Sequence, residues 1–187
     1  MSFQQTVRRV STFGFPGDII GGSQAEVRSN PYVLDSTLDT NNVFGRAFTI
    51  NGRSDDDIGT QIQTAEAGDT GTDQPFAGYL VSRNQYVLLA SSSSSLAPND
   101  ALANNTNVAL LTSGLIVVQL ENEADPGDGV YFLLADGTLF GIDPAASIPI
   151  TGRTAHAEVI EYQAATTTQP GLAKIHVDVT PPILAQT

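Results

Sequence analysis

VALLTSGLIVVQLENEADPGDGVYFLLADGTLFGI, residues Val108 to Ile142, decides the fold class. It holds a β-branched run (Gly114 to Leu120), an acidic turn (Glu121 to Gly129) and a second apolar run (Val130 to Leu134). Val, Ile, Tyr and Phe fill the runs while Asp, Gly and Pro fill the gaps, which is how strands and turns divide residue types. In Leu134-Ala135-Asp136-Gly137-Thr138-Leu139 the Asp-Gly pair supplies the two positions that accept positive φ in a type I′ turn. The stretch predicts three consecutive antiparallel strands, Gly114–Leu120, Val130–Ala135 and Thr138–Ile142. It carries no nucleophile, base or metal cage, so it reads as a scaffold.

The same grammar extends outward. Leu172–Val179 alternates strictly, with Ile175, Val177 and Val179 on one face and Lys174, His176 and Asp178 on the other, the mark of a half-buried antiparallel strand. Arg153–Gln163, Phe76–Val81 and Tyr86–Ala90 read as further strands. So does Asn42–Asn51, where Gly45 marks a bulge or a close backbone approach. Asn30–Leu34 fits only an edge, because Pro31 lacks a ladder donor, and Asp18–Val27 suggests a short hairpin. Ser54–Asp73, acidic and rich in Gly and Thr, and the Ser91–Ser95 tract read as loops. Short strands at this spacing predict an all-β protein, an antiparallel sandwich or barrel-like body with long loops. The expected organisation is an extended N-terminal arm over residues 1–17 and a single β domain over 18–187.

Composition narrows the function. Only 15% of the 187 residues are charged, against about 25% in ordinary soluble domains. A single lysine, Lys174, argues against long helical surfaces laced with i, i+4 pairs. The net charge of −12 argues against nucleic acid or an anionic membrane as partner, since phosphates need clustered Lys and Arg. No apolar run is long enough for a membrane span. The charge is uneven: residues 1–53 hold five Arg and four acids, whereas the remainder holds three bases and sixteen acids.

Catalytic and metal chemistry find no footing. Asp55-Asp56-Asp57 and Asp125-Pro126-Gly127-Asp128-Gly129 lack the ligand spacing of a calcium loop. His156 and His176 fall on polar parities and, with no Cys in the chain, predict surface histidines rather than a zinc site. There is no nucleophile elbow and no Gly-rich phosphate loop; Thr112-Ser113-Gly114 reads as a turn. The expectation is no catalytic residue, no metal and no cofactor.

Several stretches, in order, carry a family resemblance: the basic start MSFQQTVRR, Phe13-Gly14-Phe15-Pro16-Gly17, Asn42-Val43-Phe44-Gly45-Arg46-Ala47-Phe48-Thr49, Phe76-Ala77-Gly78, Leu96-Ala97-Pro98, Asn104-Asn105-Thr106, Thr112-Ser113-Gly114 and Pro126-Gly127-Asp128. Together they resemble the structural cement (capsid decoration) proteins of tailed bacteriophages. The resemblance implies a mostly-β body on the outer face of an expanded head, assembled in the host cytoplasm. There such proteins form trimers that clamp neighbouring major capsid protein subunits. The Arg- and Phe-bearing first 53 residues would then face capsid or a sister subunit, since Arg and aromatics are enriched in interfaces. That names Phe3, Arg8, Arg9, Phe13, Phe15, Phe44, Arg46 and Arg53 as interface candidates. The rival reading is a β-sandwich binding module for carbohydrate or a cell surface, of fibre or adhesin type, although such sites favour aromatic platforms and the chain has no Trp.

Overall fold

NVALLTSGLIVVQL, Asn107–Leu120, forms one unbroken strand of 14 residues, and every other part of the body is arranged along it. The computed structural model describes residues 13–21, 27–55, 61–69, 74–82, 101–143, 145, 147, 151–165 and 171–179, with only the backbone of 53–55, 61 and 62. Within these residues the strands are β1 (Ile19–Ile20), β2 (Arg28–Leu34), β3 (Ala47–Asp55), β4 (Gln61–Ala67) and β5 (Phe76–Leu80). They continue as β6 (Asn107–Leu120), β7 (Gly129–Leu133), β8 (Leu139–Ile142), β9 (Gly152–Gln163) and β10 (Gly171–Asp178), with a 3₁₀ turn at Asp39–Asn41. The all-β expectation holds, and the body is barrel-like. The expected strands at Tyr86–Ala90 and the Ser91–Ser95 loop lie outside the described residues.

β6 starts seven residues before the predicted Gly114. Thr112-Ser113-Gly114 is no turn; it sits mid-strand, because pairing on both edges overrides the local Ser-Gly signal. β2 and β5 flank the first half of β6, and β10 and β1 flank the second. β1 thus pairs with β6, and residues 22–26 of the expected Asp18–Val27 hairpin lie outside the described residues. Five strands close on themselves: β2 pairs β4 in parallel, β4 pairs β3, β3 pairs β5, β5 pairs β6, and β6 returns to β2. Phe48, Leu34, Tyr32, Leu80, Leu110 and Val108 fill this small barrel beside Ala65, Ala67 and Ala77. A narrow barrel interior needs small residues opposite large ones. That is why QIQTAEA, expected to be loop, is strand β4: its inward positions are alanines, which leave little hydrophobic signal. β3 likewise begins at Ala47, with Gly45 in the turn before it, making the expected close backbone approach.

Pro31 sits where an edge strand tolerates it. Opposite it, Ala109 gives its carbonyl to Val81 on the β5 side. Pro31 therefore occupies a non-hydrogen-bonded pair and turns its missing donor to the open edge of β2.

The second half of β6 leads a further sheet in the order β6-β10-β9-β7-β8. β7 and β8 form the expected hairpin, but the meander does not continue into β6, whose edges other strands occupy. β7 pairs β9 instead. The hairpin loop is not type I′: Leu133 accepts from Gly137 N–H and donates to Thr138 O, so four residues lie between this bonded pair and only Gly137 has positive φ (74°). The outer edge of β8 is covered by a side chain, since the Asn122 amide donates to Gly141 O and accepts from Gly141 N–H, each at 2.9 Å. Covering an edge in this way suppresses unwanted strand addition. Tyr131 and Phe140 stack across the hairpin at 5.2 Å.

The barrel and this sheet share a wall. Along β3, β5 and β6, Phe48, Leu80 and Leu110 point into the barrel, while Ala47, Tyr79 and Leu111 point into the core under the sheet. There they meet Ile116, Val118, Val130, Phe132, Val159, Ile175 and Val177. Period-2 alternation buries both faces of these strands, and the predicted inward face of Ile175 and Val177 is correct.

Within that core, Tyr79 donates to Ala155 O at 2.6 Å. Burial pushes its hydroxyl well above the ordinary tyrosine pKa of about 10. A folded pKa raised above the unfolded one makes a contribution that is complete below about pH 10 and is lost as pH rises toward the folded value. Tyr79→Phe should cost about 1–2 kcal/mol at neutral pH through the orphaned carbonyl. It should also flatten the alkaline decline, leaving the smaller part due to Tyr32, whose pKa burial also raises. Urea midpoints at neutral pH and about pH 11 check this; an unchanged alkaline decline would refute it.

Two further joints fix the lobes. Ala47 N–H donates to Gly137 O, Gly68 N–H to Ala47 O and Asp69 N–H to Leu134 O, so the β7–β8 loop rests backbone-to-backbone on the barrel. At one barrel end Asn42, fully buried, donates to Leu102 O and Asn104 Oδ1 and accepts from Ser36 Oγ. Asn104-Asn105-Thr106 serves this plug, with Asn105 at φ 63° and Thr106 Oγ1 donating to Ala103 O.

Candidate interaction surface

Phe13-Gly14-Phe15-Pro16-Gly17-Asp18 forms a strap across the second half of β6. Gly17 N–H donates to Val117 O and Val117 N–H to Asp18 O, while Ser82 N–H donates to Gly17 O. Asp18 Oδ2 accepts from Phe15 N–H at 2.9 Å and closes the turn. The strap needs glycine at position 17: φ is +89°, and a Cβ there would lie 2.8 Å from Ser82 N and 2.9 Å from the Phe44 Cβ. The neighbour it presses on is the Val43–Arg46 turn, so two motifs far apart in sequence lock into one joint.

The eight predicted interface residues separate here. Phe3, Arg8 and Arg9 lie outside the described residues. Phe13 is buried against its own body, with Lys174 Nζ 4.6 Å from its ring centroid. Phe44 packs against the barrel core. Arg46 is held by Asp136, 3.8 Å between charged groups, and donates to Asp136 O and Asn41 Oδ1. Arg53 lies in β3 opposite Gln63, and its side chain is outside the described set. Among those of the eight whose side chains are described, Phe15 presents a large apolar side chain to solvent, 78% exposed. Ile19, at 40%, stands close by in the chain. Sequence reading passed over Ile19, and also Leu38 and Ile160, which are 60% and 48% exposed. Nothing in their local pattern separates an outward isoleucine from an inward one.

The acidic turn does structural work. Asp125 N–H donates to Asp128 Oδ2, Asp128 N–H to Asp125 O, and Gly127 N–H to Val159 O. Beside it Glu123, Asp125, Asp128 and Tyr162 line a shallow groove of about 310 Å³ that is open to solvent. Among the described residues no three His, Cys, Asp or Glu side chains stand together as metal ligands. His156 and His176 are on the surface, as expected. His156 lies 5.5 Å from the Phe76 ring, and its pKa is lowered by burial and by the Arg153 charge. Arg153 reaches past it to Asp69 and Gln74 O, joining β9 to the segment between β4 and β5.

Over residues 3–178 the sequence matches the family described as Structural cement protein (E217 gp24/Pam3 gp6). The chain belongs to the structural cement protein family. The cement protein is accordingly a structural protein of the phage capsid. Its fold is similar to that of a chain in the solved structure "The capsid of Myoviridae Phage XM1", with a TM-score of 0.58 at 15% identity, covering 96% of this chain and 99% of that one. Among curated proteins, none matches the cement protein.

Proposed function

We propose that this cement protein binds the outer surface of the expanded head as a homotrimer and ties neighbouring major capsid protein subunits together. The contact is made by residues 1–12 with Phe15 and Ile19 beside them. The observation that carries this reading is Phe15: a phenylalanine 78% exposed, on a strap whose backbone is pinned, next to the start of the arm. Family membership supports a role that needs contact area and no chemistry. A ligand that binds only the assembled shell stabilises it by RT ln(1 + [L]/Kd) per site, and three linked copies turn weak contacts into avidity.

The test is to mix purified protein with expanded, undecorated heads, pellet them and image the surface. Wild type should sediment with the heads as protrusions at three-fold positions. Deleting residues 2–12 should abolish attachment, and Phe15→Asp should weaken it roughly tenfold or more, with the urea midpoint unchanged in both. Full attachment of the deletion variant would refute the arm.

A further inference from the structure

Phe13 and Phe15 stand two residues apart, and in a regular strand they would share one face. Here they part. Gly14 between them has φ +107°, and a Cβ on it would lie 2.9 Å from Val117 Cγ2, so the strap turns there hard against β6. Phe13 goes under and Phe15 out. Val117 and Lys174 are cross-strand partners on the face of β6 and β10 turned away from Ile116 and Ile175 in the core. On that face Lys174 Nζ lies over the Phe13 ring, and Glu161 holds the same ammonium at 2.6 Å. Phe15 is therefore flanked by two pins, the buried Phe13 before it and the bonds of Gly17 and Asp18 to Val117 after it.

We infer that Phe13, clamped by Lys174 and Glu161, is a positioning residue that holds Phe15 outward and ready for a partner surface. This role rests on the reading of Phe15 as a contact residue. Phe13 is itself buried and offers a partner no area, so it acts through its neighbour. What it supplies is preorganisation: a side chain already fixed in its bound setting loses less freedom when the partner arrives. Lys174 contributes by lying over the ring as a cation, an attraction that a neutral side chain of similar length would lack.

The latch is read first in the free protein. The chain has no cysteine, so Phe15→Cys accepts a single nitroxide, whose spectrum should be that of a slowly moving probe. Phe13→Ala and Lys174→Met should each narrow its lines. Lys174→Arg, which keeps a cation over the ring and a partner for Glu161, should leave them unchanged. On expanded, undecorated heads, with Phe15 in place, Phe13→Ala should weaken attachment roughly tenfold and Lys174→Met about threefold, at an unchanged urea midpoint for Lys174→Met. In a Phe15→Ala background neither should weaken attachment further, because nothing is left to position. Unchanged lines in Phe13→Ala, or the same loss of attachment in both backgrounds, would overturn the assignment. Undiminished attachment of Phe15→Ala would overturn the contact reading and the positioning role with it, while narrowed lines would still establish the latch.

Discussion

Replacing Gly137 with alanine is expected to destabilise the protein by about 4 kcal/mol, close to the upper end for a single substitution. Two costs combine. At φ 74° an alanine is strained, which is worth about 1–2 kcal/mol. The new Cβ would also overlap the Ala47 carbonyl oxygen, which is backbone and cannot swing aside. Relieving that overlap lifts the β7–β8 loop off the barrel and weakens the bonds from Ala47 N–H to Gly137 O and from Asp69 N–H to Leu134 O. Each buried group left unpaired costs about 1–3 kcal/mol. Gly127 supplies the control. Its φ of +97° is equally unfavourable to alanine, but the nearest atom to a Cβ there is Glu158 Oε1 at 4.0 Å. Gly127→Ala should therefore cost only about 1–2 kcal/mol. Urea midpoints of the two variants measure the difference, and equal losses would show that the joint does not hold the lobes together.

That joint also shows where the sequence was readable. Asp136-Gly137 signalled a turn correctly, and the hairpin it joins exists, but the turn type was set by what the loop rests on. A type I′ turn demands positive φ at both central residues; here Asp136 is instead drawn into capping Thr138 and pairing with Arg46. The period-2 pattern of Leu172–Val179 was legible because one face is buried and the other wet. β4 was illegible because alanines line its barrel face, and the true start of β6 because Thr112-Ser113-Gly114 looks like punctuation until two strands pair across it. The motifs carrying the family resemblance sit largely at joints: Phe13–Gly17 on Val43–Arg46, Asn104–Thr106 under Ser36. Which side chain faces solvent was therefore harder to read than a joint. Phe13 and Phe15 lie two apart in one motif, yet one is buried under Lys174 and the other stands in solvent.

The shared wall sets the second large expectation. Phe48→Ala in the barrel and Phe132→Ala in the core under the sheet should each cost about 3–5 kcal/mol, since both side chains are fully buried. Neither should uncouple its own lobe. Unfolding the barrel alone would strip Tyr79 and Leu111 of the strands that hold them. Unfolding the sheet alone would expose them to water. Burying two such side chains is worth roughly 3–6 kcal/mol, comparable with the whole stability of many domains, about 5–15 kcal/mol. Partly folded states with one lobe open should therefore be scarce, and unfolding should be a single transition. Tyr32 lies in the barrel core and Tyr79 in the other, so fluorotyrosine incorporation gives each lobe its own probe. Both resonances should disappear at one urea concentration in wild type, and together at a lower one in either variant. A Tyr32 signal lost ahead of Tyr79 in Phe48→Ala would mean that the barrel opens on its own. β3, β5 and β6 would then be a contact between two lobes rather than one wall common to both.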